Sequence, residues 1–316
     1  MSIAYIRNAE DLVTSREQTR AGFVAFALEK NRRSTPIIEE AKTFRVLASK
    51  ARTAKELLKI KDIRFALITA AGLSDKAETY FSENDKDKAI LNLIENFLEP
   101  AGEHFVEEAV YRYLLIKGDT LGGSMRNIVG MLAQQKLIRA LLSNFSISRI
   151  NYQWLDNKSK KWEESLSNDF AIEERLKALL WKTPRGKSRV LAFNLNIPTV
   201  KNNIDICLFN ADIKTYDNGK IVNTPNKILM LGELKGGIDP AGADEHWKTG
   251  NTALNRIRNS FEKNNLQIFT SFIVAAIEKK MAMEIFEQLK NRTLSCAANL
   301  TIDAQVVHYC KWLMEI

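Results

Sequence analysis

Apolar and polar positions alternate along this chain with two different textures. From Asn8 to about Asn144 the apolar residues recur at spacings of three and four, with charge between them. Segments 37–51, 54–73, 88–100 and 106–118 show it most clearly, and the spacing predicts amphipathic helices. The charge-rich segment 75–88 reads as an exposed loop or turn. Pro100-Ala101-Gly102 breaks the helix before it. From about Ile147 the runs shorten. Two short apolar runs flank Asn157-Lys158-Ser159 and predict a β-hairpin. Segment 170–181 reads as a helix. Segments 189–198, 205–211, 227–235 and 267–277 read as strands, 245–261 and 279–292 as helices, and 304–313 as a last strand. No repeat or low-complexity tract interrupts this order. The reading is an α/β chain with a mostly helical region over 1–146 and a mixed α/β region over 147–316.

Composition narrows the function classes. The chain has 316 residues, 45% hydrophobic and 27% charged, which is ordinary for a folded protein. No apolar run approaches the ~20 residues of a membrane-spanning helix, and the N-terminal segment carries early charges and no apolar core, unlike a signal peptide. The three cysteines and three histidines lack the paired spacing of a structural zinc site, and so few cysteines fit a reducing compartment. Lys and Arg number 46 against 38 Asp and Glu, a net charge of +8, which makes a polyanion the first partner to consider.

The chemistry concentrates in one place. The pattern acidic-x-Lys recurs at several points, but only Glu233-Leu234-Lys235 ends an apolar strand-like run, Ile228–Leu231. The preceding run, 204–208, carries a lone Asp205. On a strand, positions two apart share a face, so Glu233 and Lys235 point the same way, and an antiparallel neighbour brings Asp205 beside them. Two converging carboxylates suit a hard divalent cation such as Mg²⁺, and a lysine beside them suits an attacking water at a phosphodiester. A surface Glu–Lys pair with an unrelated Asp satisfies the same spacing.

Three neighbouring features bear on the choice. Gly236-Gly237 follows directly and lets backbone approach a phosphate, or simply turns the chain. Asp239-Pro240 reads as a helix cap and first helical residue, and His246 lies within the next turns, as a proton carrier or a half-buried histidine. Lys117–Asn127 reads as a Gly-rich loop opening a helix, with Arg126 and Asn127 placed to meet a phosphate or base edge. A rival nucleotide-binding reading fails. Thr183–Ser188 resembles the end of a P-loop, but its required first glycine falls on Trp181.

The run 232–249, GELKGGIDPAGADEHWKT, together with Asp205 and the segment 118–127, GDTLGGSMRN, resembles the AvaI/BsoBI type II restriction endonucleases, within the PD-(D/E)xK nuclease superfamily. The resemblance covers the whole chain in outline. It implies a mixed-sheet nuclease core with a helical DNA-embracing region, and a homodimer around double-stranded DNA in the bacterial cytoplasm. It implies Mg²⁺-dependent cleavage of the palindromic site CYCGRG after the first C, leaving 5′ overhangs with 5′-phosphates. Carried onto matching positions, it makes Asp205 and Glu233 metal ligands and Lys235 the third member of the motif. His246 becomes a candidate general base, and Asp239 a residue near base edges. The sequence departs from the superfamily pattern in having Ile204, not Pro, before Asp205. Arg126, Asn127, Lys201 and Arg256 are assigned to DNA from charge and context alone. The competing reading is a sequence-specific DNA-binding protein without cleavage, which has no need of clustered carboxylates beside phosphate.

Overall fold

The computed structural model describes residues 5–165, 171–217 and 219–316, with the Arg126 side chain outside the description. The chain divides into two compact units, Met1–Phe23 with Val129–Ile316, and Val24–Ile128. The change of texture near residue 146 marks the end of a helix and not this division, because one helix runs unbroken from Phe105 to Ile147.

The helical region holds α1 (Arg16–Ala48), α2 (Arg64–Ala70), α3 (Asp75–Glu78), α4 (Glu83–Leu93) and α5 (Phe105–Ile147). Ala41, Phe44, Leu67, Ile68, Ile90, Leu93, Val106 and Ala109 supply its core at helical spacing. Two expectations are corrected here. Segment 75–88 is not a loop. Ser74 caps α3, and Ser82 with Asp85 forms a capping box that starts α4. The glycine-rich segment 117–127 is likewise no loop but the middle of α5. No proline or cap interrupts it, and the turns on both sides carry the helix through the glycines.

The other unit is an eight-stranded sheet, in the order β2-β1-β3-β4-β5-β6-β7-β8. Its strands are β1 (Tyr152–Asp156), β2 (Trp162–Glu164), β3 (Leu176–Lys182), β4 (Ser188–Ile197), β5 (Asn202–Phe209), β6 (Ile228–Lys235), β7 (Phe269–Val274) and β8 (Cys296–Asn299). Short helices α6 (Ile172–Arg175) and α7 (Ile213–Asp217) lie in the connections. Then α8 (Ala243–Glu262) links β6 to β7, α9 (Lys279–Lys290) links β7 to β8, and α10 (Asp303–Glu315) ends the chain. Pairing is antiparallel from β2 to β6 and parallel from β6 to β8. The crossover helices α8 and α9 make the parallel pairs reachable.

One face of the sheet packs Cys207, Leu231, Phe272 and Val274 against α8 and α9. The other packs Ile206, Met230, Ile273 and Leu191 against the end of α5 and α10. Because both faces are buried, the central strands read as continuous apolar runs. That is also why segment 170–181 misleads. Leu, Ala and Lys favour a helix, yet pairing with β1 and β4 makes Leu176–Lys182 a strand, with Leu179 and Trp181 on one face and Ala178 on the other. Phe170 itself lies outside the described residues. The last predicted strand is a helix, α10. Its buried residues Val306, Tyr309, Cys310 and Leu313 carry the helical spacing that two adjacent valines obscured. Among the described residues no helix is long and apolar enough to cross a membrane.

Candidate active site

The sheet register assembles the site. Cys207 lies opposite Leu231 and Ile206 opposite Gly232, so Asp205 falls opposite Glu233 on the neighbouring antiparallel strand. Glu233 shares its face with Leu231, and Lys235 follows two positions later, so all three side chains lie on the α8 face of the sheet. Lys235 Nζ donates to Glu233 Oε2 at 2.6 Å and to Asp205 Oδ2 at 3.1 Å. The Leu234 backbone N–H donates to the same Asp205 oxygen at 2.8 Å. The three residues predicted from spacing are therefore one hydrogen-bonded cluster.

Its electrostatics are unbalanced. Two carboxylates face one ammonium, and Glu233 is only 4% exposed. Burial, reinforced by the negative charge of Asp205, pushes the Glu233 carboxyl up to about 7 despite its bond to Lys235. Burial opposes the charge on Lys235, but the two carboxylates outweigh it and hold the ammonium protonated. Excess negative charge at a partly buried cluster is the condition a divalent cation relieves. The donors fit that use, since hard cations take carboxylate oxygens and complete their shells with water and phosphate oxygens. Among the described residues no group of three or more His, Cys, Asp or Glu side chains is placed to hold a metal ion.

His246 stands on the first turns of α8, half-buried. The helix seats closely on the sheet because Gly250, one turn on, leaves room for the Phe272 ring, and because Trp247 packs against the same ring at 5.2 Å between centroids. Burial and the nearby Lys235 charge hold the imidazole below its ordinary pKa, so it is neutral at pH 7 and able to accept a proton. Asp239 caps the turn before α8, its Oδ1 accepting from Ala241 N at 3.0 Å, and is exposed.

Of the remaining predicted residues, Lys201 and Arg256 are not hydrogen-bonded to the cluster. Lys201 is exposed in the turn before β5, with φ of 55°, at the end of the sheet where Asp205 lies. Arg256 is exposed on α8, ten residues beyond His246, roughly 15 Å along the axis. Asn127 is exposed on α5 in the helical unit, and the Arg126 side chain is outside the described structure. Two contributions escaped the sequence reading. One is the Leu234 N–H on Asp205, a backbone group without a motif. The other is the glycine that floors His246: a Cβ on Gly237 would overlap His246 Nε2.

Comparison with known proteins follows this geometry. Residues 3–316 match the family described as restriction endonuclease BsobI. The chain is 53% identical over 315 residues to the type II restriction enzyme BsoBI of Geobacillus stearothermophilus, covering 99% of this chain and 97% of that one. It is 49% identical over 312 residues to the type II restriction enzyme AvaI of Nostoc sp., covering 99% and 98% respectively. An AvaI of Anabaena variabilis matches with the same identity and coverage.

Proposed function

The chain belongs to the BsoBI restriction endonuclease family, a type II restriction endonuclease acting on double-stranded DNA, and on that premise we propose that it cleaves CYCGRG after the first C in each strand. The products carry 5′-phosphates on four-base 5′ overhangs. The observation that carries the reading is the Asp205–Glu233–Lys235 cluster, in which a buried Glu233 joins a half-buried Asp205 and Lys235 with one positive charge for two carboxylates.

Asp205 and Glu233 would hold Mg²⁺. When bound, the ion polarises a phosphoryl oxygen and acidifies a water. Lys235 Nζ, already aimed between the carboxylates, orients the attacking water and offsets charge building on the phosphate. The neutral imidazole of His246 accepts the proton released as the water attacks. The exposed Asp239 carboxylate accepts from a cytosine N4 in the major groove. Lys201, Arg256, Asn127 and Arg126 contribute to phosphate or base contacts. The site CYCGRG reads alike on both strands, so a two-fold homodimer supplies one active site per strand. The enzyme works in the bacterial cytoplasm. The acidic excess does not suit a DNA-binding protein without cleavage, because carboxylates repel phosphate unless a cation is present.

Digestion of plasmid DNA with and without Mg²⁺, followed by sequencing of the fragment ends, tests this. Discrete Mg²⁺-dependent ends within CYCGRG are expected, and EDTA stops the reaction. Ends at another motif would overturn the assigned specificity, and binding without cleavage in any divalent ion would overturn the activity.

The pH dependence follows from Glu233. Below about 7 its proton competes with the cation. At limiting Mg²⁺ the cleavage rate therefore rises with pH between about 6 and 8, and saturating Mg²⁺ moves that limb to lower pH. A limb that does not move with Mg²⁺ concentration would place the titrating group elsewhere.

A further inference from the structure

The segment Gly236–Gly242 leads from Lys235 to the helix that carries His246, and three close contacts fix its course. A Cβ on Gly236 would lie 2.5 Å from Val129 O and 2.7 Å from Ala133 Cβ, both on α5. A Cβ on Gly22 would overlap Ile238 Cγ1, so Ile238 is a knob set into a notch on α1. Gly237, the residue before that knob, is the floor under His246 Nε2.

The notch is itself anchored. Thr14, two residues before α1, accepts from Ile277 N at 2.9 Å through its hydroxyl and donates that hydroxyl to Ala275 O at 2.9 Å. Its backbone N–H donates to Ile277 O at 3.0 Å, and Asn299 Nδ2 donates to Thr14 Oγ1 at 2.8 Å. The start of α1 is thus pinned to the chain just beyond β7, next to the strand that carries Glu233 and Lys235. By propensity a helix interior prefers alanine to glycine. The absence of a side chain at Gly22 is explained by the knob and not by the helix.

We propose that Gly22 and Ile238 are positioning residues for His246: the notch in α1 sets the height of Gly237 and hence the place of the imidazole beside Lys235. The proposal rests on the nuclease reading for its kinetic consequence, but its structural content stands apart from it. A methyl at position 22 lifts Ile238, Ile238 carries Gly237 with it, and Gly237 displaces the ring. Misplacement of a reacting group by about 1 Å costs on the order of 100-fold in rate.

The test compares Gly22→Ala, Ile238→Ala and the double variant. Three readouts serve: single-turnover cleavage of a duplex at saturating Mg²⁺, duplex affinity in Ca²⁺, and the His246 Cε1–H signal by NMR. Gly22→Ala is expected to slow cleavage by about 10- to 100-fold, with DNA affinity unchanged and the His246 signal shifted. The double variant, with the knob trimmed, is expected to match Ile238→Ala alone in both His246 signal and rate, because position 22 then has nothing to push. A Gly22→Ala protein with wild-type rate and signal would overturn the proposal, as would a double variant no better than Gly22→Ala. Should Gly22→Ala not fold, Ile238→Ala decides: a shifted His246 signal supports the notch, and an unmoved one overturns it. Failure of the wild type to cleave in any divalent ion would instead count against the nuclease reading, and the NMR comparison would still decide the notch.

Discussion

Glu233→Gln is expected to make the metal-free protein more stable at pH 8 while reducing Mg²⁺-dependent cleavage on the order of 10³-fold or more. The two effects share one cause. The Glu233 carboxyl is buried beside Asp205 and is pushed up from 4.5 to about 7. Between those values the folded chain holds a proton that the unfolded chain has released, so stability falls as pH rises through the window. The shift corresponds to at most about 3–4 kcal/mol above pH 7. Glutamine removes the charge and its penalty, and with it one of the two carboxylates proposed to hold the cation. The melting advantage of the variant should be small near pH 5 and full by pH 8. DNA affinity measured in Ca²⁺-free buffer should match the wild type or exceed it, because less negative charge faces the phosphates. A variant that cleaves at wild-type rate would remove Glu233 from the site.

Lys235→Ala is expected to lose cleavage by about 10²- to 10³-fold, but with the opposite effect on stability. Among the described residues, Lys235 is the one side chain bonded to both carboxylates. Its loss leaves Glu233 and Asp205 facing each other without that counter-charge, and breaking a buried ion pair in this way costs about 3 kcal/mol. The loss should shrink below pH 7, where Glu233 takes up a proton. Divalent cations should restore the melting temperature without restoring the rate. Equal melting curves for Lys235→Ala and wild type in EDTA at pH 8 would contradict the charge balance described for the cluster. The pair of variants thus separates a strained acidic centre, which the protein maintains against its own stability, from an ordinary surface ion pair.

The cluster was legible in the sequence because strand alternation is rigid. Glu233 and Lys235 had to share a face once 227–235 was a strand, and Asp205 needed only an antiparallel neighbour. The Asp239-Pro240 cap was legible too, but it starts the short turn Pro240–Gly242 and not α8, which begins at Ala243. What the sequence concealed depends on tertiary context. Leu176–Lys182 has the composition of a helix and is a strand because β1 and β4 claim its backbone. Val306–Leu313 has adjacent β-branched residues and is a helix because its buried positions follow a helical spacing. Cys296–Asn299, a strand of small residues, gave no signal at all. The glycines of α5 read as a loop because local propensity was weighed without the turns on either side. Gly22 gave no signal either, since a notch is defined only by the residue that fills it.

Asp205 and Glu233 together are proposed to hold the catalytic cation. Electron paramagnetic resonance of free Mn²⁺, titrated at pH 8 into the DNA-bound wild type, Asp205→Asn and Glu233→Gln, tests this without relying on turnover. The wild type is expected to take up Mn²⁺ and both variants to lose most of that uptake. Undiminished uptake in both variants would contradict the assignment of the two carboxylates as the metal ligands.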